Sequence, residues 1–162
     1  MLPQLPTFTL ISNDLTAGEQ LPVRFSANGE NTSPHLAWSN FPAQTESFLL
    51  NCFDPDAPIP SGWWHWVVVD LDVSNTELET GAGDSDLNLP GAAFHLRNDG
   101  GDHTYRGAAP PVGDGPHRYT FAVHALSTPT LELDSEASPA KAAFTALFHT
   151  IARAELTVTF QR

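Results

Sequence analysis

Residues 63–71 read Trp-Trp-His-Trp-Val-Val-Val-Asp-Leu, and no other stretch limits the fold as tightly. A run this rich in aromatic and β-branched side chains, bounded by proline, glycine and aspartate, reads as a strand buried on both faces. Phe48 to Phe53 is a second apolar run. Tyr119, Phe121, Val123 and Ala125 alternate with Thr120, Ala122 and His124, and Leu156, Val158 and Phe160 alternate with Glu155, Thr157 and Thr159, giving two more strands. Fourteen prolines and eleven glycines are too many for a helical bundle and suit strands joined by turns. One helix is expected: Ser138 caps it, Pro139 takes its first position, and Phe144, Leu147, Phe148 and Ile151 form its apolar face. The expectation is one mostly β domain over residues 1–162, with a C-terminal helix packed on it.

Charge narrows the partners. Seven basic residues against nineteen acidic ones give a net charge of −12, which repels nucleic acid and anionic headgroups from the surface as a whole. A single cysteine, Cys52, makes no internal disulfide and sits in an apolar run, so it is read as buried filler. The start, Met1 to Pro6, shows neither a basic nor an apolar leader region, and no apolar stretch reaches the ~20 residues of a membrane span. Cytoplasm is the default location.

Three segments carry chemistry. Asp54-Pro55-Asp56-Ala57-Pro58 follows an apolar strand, and prolines at 55, 58 and 60 stiffen the loop that holds its two carboxylates. His65 lies among three tryptophans on a doubly buried strand, where an imidazole needs a partner, with the acidic loop nine to eleven positions upstream. Burial lowers the pKa of such a ring and nearby carboxylates raise it. Tyr105-Arg106-Gly107-Ala108-Ala109-Pro110-Pro111-Val112-Gly113 leads to His117-Arg118-Tyr119, where His117 and Tyr119 share a face by strand alternation. A histidine and a phenol pointing one way, after a glycine-rich turn, suit an anion receptor.

In order and residue type these segments resemble the phosphatidylethanolamine-binding protein family, most closely its prokaryotic, Raf-kinase-inhibitor-like branch. The resemblance takes in Asn28-Gly29-Glu30-Asn31-Thr32-Ser33-Pro34, Leu36, Trp38 and Asn98-Asp99-Gly100, and spans roughly residues 20 to 126. It implies a β-sandwich with Greek-key type sheets, short peripheral helices, and a small pocket at one end for phosphate, phosphorylethanolamine or acetate. Carried over by position, the ligand-binding set is Asp54, Asp56, His65, Gly107, Pro111, His117 and Tyr119, with Tyr105 adjacent. The resemblance also implies a cis peptide at Ala57–Pro58, a homodimer, and no cofactor. Ala108 and Ala109 stand where the family has proline and then a small residue or cysteine, Arg106 where prokaryotic relatives have glycine, and Ala27 where they have cysteine. These positions bear on the pocket rim and on ligand choice. The chain stops after a strand, without the C-terminal segment that partly covers the pocket in eukaryotic relatives, which implies a more open mouth.

Three other functions compete with anion binding. A hydrolytic reading joins Asp and His to Ser61 or Ser33 as nucleophile, but no Gly-x-Ser-x-Gly elbow is present and Ser61 sits in a Pro-Ser-Gly turn. A metal reading takes Asp54, Asp56, His65 and His117 as ligands, yet the spacing offers no His-x-x-His pair. Inhibition of a kinase or protease, attached to some family members, rests on analogy alone.

Overall fold

The structure, a computed structural model, describes residues 3–162. Met1 and Leu2, at the start of the segment read for a leader, lie outside the described residues. The strands are β1 (Thr9–Ile11), β2 (Leu36–Ser39), β3 (Ser47–Asp54), β4 (Trp63–Asp72), β5 (Glu77–Leu78), β6 (Phe94–His95) and β7 (His117–Leu126); helix α1 (Pro139–Leu147) and strand β8 (Thr150–Phe160) follow. Short 3₁₀ turns at Val23–Phe25, Ala82–Asp84 and Asp86–Asn88 lie between them. The strands form two antiparallel sheets, one of order β1-β2-β5 and one of order β6-β4-β3-β7-β8.

The larger sheet is covered on both faces, which is why its strands read as continuous apolar runs. Phe48, Leu50 and Cys52 of β3, Trp66 and Val68 of β4, and Tyr119, Phe121 and Val123 of β7 face inward with Leu36, Trp38 and Leu78 of the small sheet. Leu49, Val67, Val69 and Leu126 face the other way, against Ala142 and Ala146 of α1 and Leu131. Cys52 is buried and free.

Helix α1 begins as expected, with the Ser138 hydroxyl accepting from the Lys141 amide at 3.1 Å and Pro139 in the first turn. Its packing face is not the expected one. Ala142 and Ala146 are buried, whereas Phe144, Leu147 and Phe148 are 65%, 43% and 70% exposed, and Ile151 belongs to β8. Alanine at i and i+4 lets the helix lie close to the sheet, and the large side chains that fit the same period turn outward.

Two irregularities in β4 aim its side chains. Cys52 pairs with Trp66 and Phe53 with Trp64, so His65 is an extra residue opposite no partner, a β-bulge. Strict alternation would place His65 beside Val67 on the helix face; the bulge turns it inward, into contact with Tyr119. A second register shift brings Asp70 to φ 58° and returns Leu71 to the inner face.

Candidate functional site

β3, β4 and β7 end at the same edge of the larger sheet, and a cavity of about 330 Å³ opens there. Its wall includes Asp54, Pro58, His65, Arg106, Gly107, Pro111, His117 and Tyr119. Three chain segments far apart in sequence therefore meet at one concavity.

Asp54 closes β3 and organises the loop after it. Its Oδ1 accepts from the backbone N–H of Asp56 at 2.7 Å and of Ala57 at 3.1 Å. The Ile59 N–H then donates to the Ala57 carbonyl at 2.7 Å. This self-bonded turn shapes the loop with every peptide trans: among the described residues there is no cis bond, so the cis Ala57–Pro58 peptide implied by the family resemblance is absent.

The second oxygen of Asp54 accepts from His117 Nδ1 at 2.8 Å. His117 Nε2 faces a different carboxylate, Asp114, at 2.9 Å. Carboxylates only accept, so both ring nitrogens carry hydrogen and the imidazole is a cation. Burial opposes that charge, yet the bonds to Asp54 and Asp114 outweigh it and raise the His117 pKa above the ordinary histidine value. Asp54 and His117 are both buried, each under 5% exposed.

His65 is the opposite case. Its Nδ1 donates to the Arg106 carbonyl at 2.8 Å, which fixes the tautomer. Burial pushes its pKa below the usual value, offset only in part by that bond and by the charge of Asp54. The ring is neutral at pH 7, and its Nε2 has no hydrogen-bond partner among the described residues. The Tyr119 hydroxyl, buried in the same wall, lies near the Asp54 carboxylate but makes no hydrogen bond of normal geometry among the described residues. Burial first, and then the nearby charge of Asp54, hold its proton on.

Pro111 and Gly107 line the cavity, whereas Asp56 and Tyr105 do not. Asp56 holds Arg118 through both carboxylate oxygens, at 2.8 Å to Nε and 2.8 Å to Nη2, and accepts from the Arg118 amide. Those bonds bring the Asp56 pKa down to about 2. Tyr105 is a core residue whose hydroxyl donates to the Phe25 carbonyl at 2.7 Å beneath Trp66. The Gly107 amide lines the cavity but is already taken, donating to Asn31 Oδ1 at 2.7 Å. Ser33 is fully buried and accepts from the Gly83 amide, while Ser61 donates to the Gly62 carbonyl; neither lines the cavity. Among the described residues no cluster of three or more His, Cys, Asp or Glu side chains is arranged for a metal ion.

Asp114 is a site neighbour that the sequence reading did not single out. Its signal was a carboxylate three residues before His117, between two glycines. Asn31 lay within the quoted Asn-Gly-Glu-Asn segment, but only the fold shows that it spends its side chain on the Gly107 amide.

Fold and cavity together define a chain of the phosphatidylethanolamine-binding protein family, to which it belongs: the family's model matches residues 11–161. The chain is 47% identical to the UPF0098 protein YbhB of Escherichia coli strain K12 over 156 residues, covering 93% of this chain and 98% of that protein. It superimposes on the crystal structure of Escherichia coli YbcL, described as a new member of the mammalian PEBP family, with a TM-score of 0.93 at 42% identity, covering 96% of this chain and 98% of that one. A phosphatidylethanolamine-binding protein homologue of Chlamydia trachomatis matches with a TM-score of 0.82 at 29% identity, covering 96% and 98%.

Proposed function

We propose that the cavity binds a small oxyanion of the phosphate class, either free or as the phosphoryl head of a compound such as phosphorylethanolamine. One observation carries this reading. His117, whose ring nitrogens face the carboxylates of Asp54 and Asp114, shares the wall of one concavity with His65, hydrogen-bonded through Nδ1 alone, and with the buried Tyr119 hydroxyl, which has no partner. An unpartnered buried hydroxyl is costly, and a ligand oxygen satisfies it, while a ligand O–H can donate to His65 Nε2. His65, neutral and accepting at Nε2, suits a protonated phosphate oxygen, while His117 and Tyr119 suit unprotonated ones.

Binding is favoured over catalysis because the cavity wall offers no nucleophile beside a base. Ser33 and Ser61 are bonded elsewhere, and Cys52 is sealed in the core with burial pushing its thiol pKa up. A cytoplasmic location goes with this reading; among the described residues no helix is long and apolar enough to cross a membrane. The test is calorimetric titration with inorganic phosphate and phosphorylethanolamine. Saturable one-to-one binding that His117→Ala weakens supports the reading, and binding that survives this change intact rejects it.

A further inference from the structure

His117 has two N–H groups, and both are already used. Nδ1 donates to Asp54, whose other oxygen is tied down by the Asp56 and Ala57 amides and whose side chain is buried. Nε2 donates to Asp114. An oxyanion that bonds to this ring must therefore displace one of two carboxylates, and they are not equally held. The Asp114 side chain is 40% exposed. It rides on a turn between Gly113 at φ 82° and Gly115 at φ 87°, and a Cβ placed on either glycine would meet nothing within 4 Å. The turn's own tie is one backbone bond, from the Asp114 amide to the Pro111 carbonyl at 3.2 Å. Gly113 N–H also reaches the Arg162 carbonyl at 3.1 Å, and Arg162 Nε donates to the Pro110 carbonyl at 2.6 Å, so the turn is anchored at its base while its tip stays unpacked.

Building on the oxyanion reading above, we propose that Asp114 is an internal competitor for the site: its carboxylate occupies His117 Nε2 when the cavity is empty and swings outward when an oxyanion takes that hydrogen bond. The bond exchanged is charge-assisted on both sides, so the ligand gains at His117 only the difference between its own bond and the one Asp114 gives up. Asp114 thereby keeps the cation paired in the empty protein and sets a threshold that weak or dilute anions do not pass. Its role is positioning and gating; Asp54, on the other ring nitrogen, is the fixed partner.

The test is Asp114→Asn, with Asp114→Ala as a second variant, each titrated calorimetrically with inorganic phosphate and, separately, with phosphorylethanolamine at constant ionic strength. Removing the competing charge is expected to tighten phosphate binding by about tenfold or more. The imidazole ¹⁵N resonance of His117 Nε2 is expected to shift in the unliganded variants, and phosphate added to wild-type protein is expected to move it as well. If wild type binds phosphate and both variants bind it equally or more weakly, the competitor role is wrong while the oxyanion reading stands. Loss of phosphorylethanolamine binding with no gain for phosphate also overturns it, since Asp114 would then be accepting from the ligand's ammonium. If neither wild type nor variants bind either compound, the oxyanion reading itself fails.

Discussion

Replacing Asp54 with asparagine probes the pair on which the site depends. Asparagine keeps the shape and leaves an oxygen for the Asp56 and Ala57 amides, so the loop is expected to survive. The group facing His117 Nδ1 changes from acceptor to donor, and two donors at 2.8 Å are incompatible. The ring must then give up the Nδ1 proton, accept from the new amide, and keep its Nε2 hydrogen for Asp114. What is lost is one buried charge-assisted hydrogen bond, about 1.5–3 kcal/mol, and the His117 pKa falls with it. In the wild type the pKa is raised on folding, so the stability it brings is fully present below the unfolded value of about 6.5 and is lost as pH rises through the folded value. The gap in stability between wild type and Asp54→Asn should therefore be widest near pH 6 and shrink toward pH 9. Imidazole NMR titration reads the pKa directly, and urea melts at both pH values read the gap. A His117 pKa that is unchanged in the variant, or a gap that widens with pH, refutes the assignment of the Asp54–His117 pair.

The other predictions concern the surrounding frame. His95 is buried with Nε2 accepting from Trp66 Nε1 at 2.9 Å and Nδ1 donating to Asp86, and burial lowers its pKa. Its contribution to stability is present above the unfolded value of about 6.5 and declines as pH falls below it; His95→Ala, which orphans the indole N–H, should cost about 2–4 kcal/mol in urea melts. Gly107→Ala would set a Cβ 2.6 Å from the Ala27 amide nitrogen and against the Phe25 and Ser26 backbone, so a loss of about 1–3 kcal/mol and a disturbed cavity rim are expected by thermal melting and phosphate titration. Asp56 acts through Arg118, so Asp56→Asn should change phosphate affinity by less than about threefold, a small fraction of the loss expected for His117→Ala. Self-association, implied by the family resemblance, is checked by sedimentation: a dimer at micromolar concentration supports it, and a 17.5 kDa monomer counts against it.

Much of the frame was legible because burial on two faces leaves a simple record. The run from Trp63 to Leu71 and the alternation from Tyr119 to Ala125 became β4 and β7, and Ser138-Pro139 marked the start of α1. What escaped the sequence was set by contacts that period alone does not encode. Alternation puts His65 on the helix face, and only its unpaired place opposite β3 turns it into the cavity. The stripe of Phe144, Leu147 and Phe148 has a helix's period, yet the two alanines decide which side packs. Asp54 and His117 were visible as chemistry-bearing residues. The commitment of Asp56 to Arg118, of the Gly107 amide to Asn31 and of Asp114 to His117 depends on loops whose paths no local pattern specifies.

The most direct test of the account is calorimetric titration of inorganic phosphate into wild-type protein and His117→Ala at pH 6 and pH 8. Protonation of His117, whose pKa is raised, increases as pH falls across that interval and places a positive charge in the cavity wall that favours the anion. Saturable binding by wild type is expected, tighter at pH 6 than at pH 8, with most of the affinity gone in His117→Ala. Equal affinity at the two pH values together with undiminished binding by the variant would contradict it.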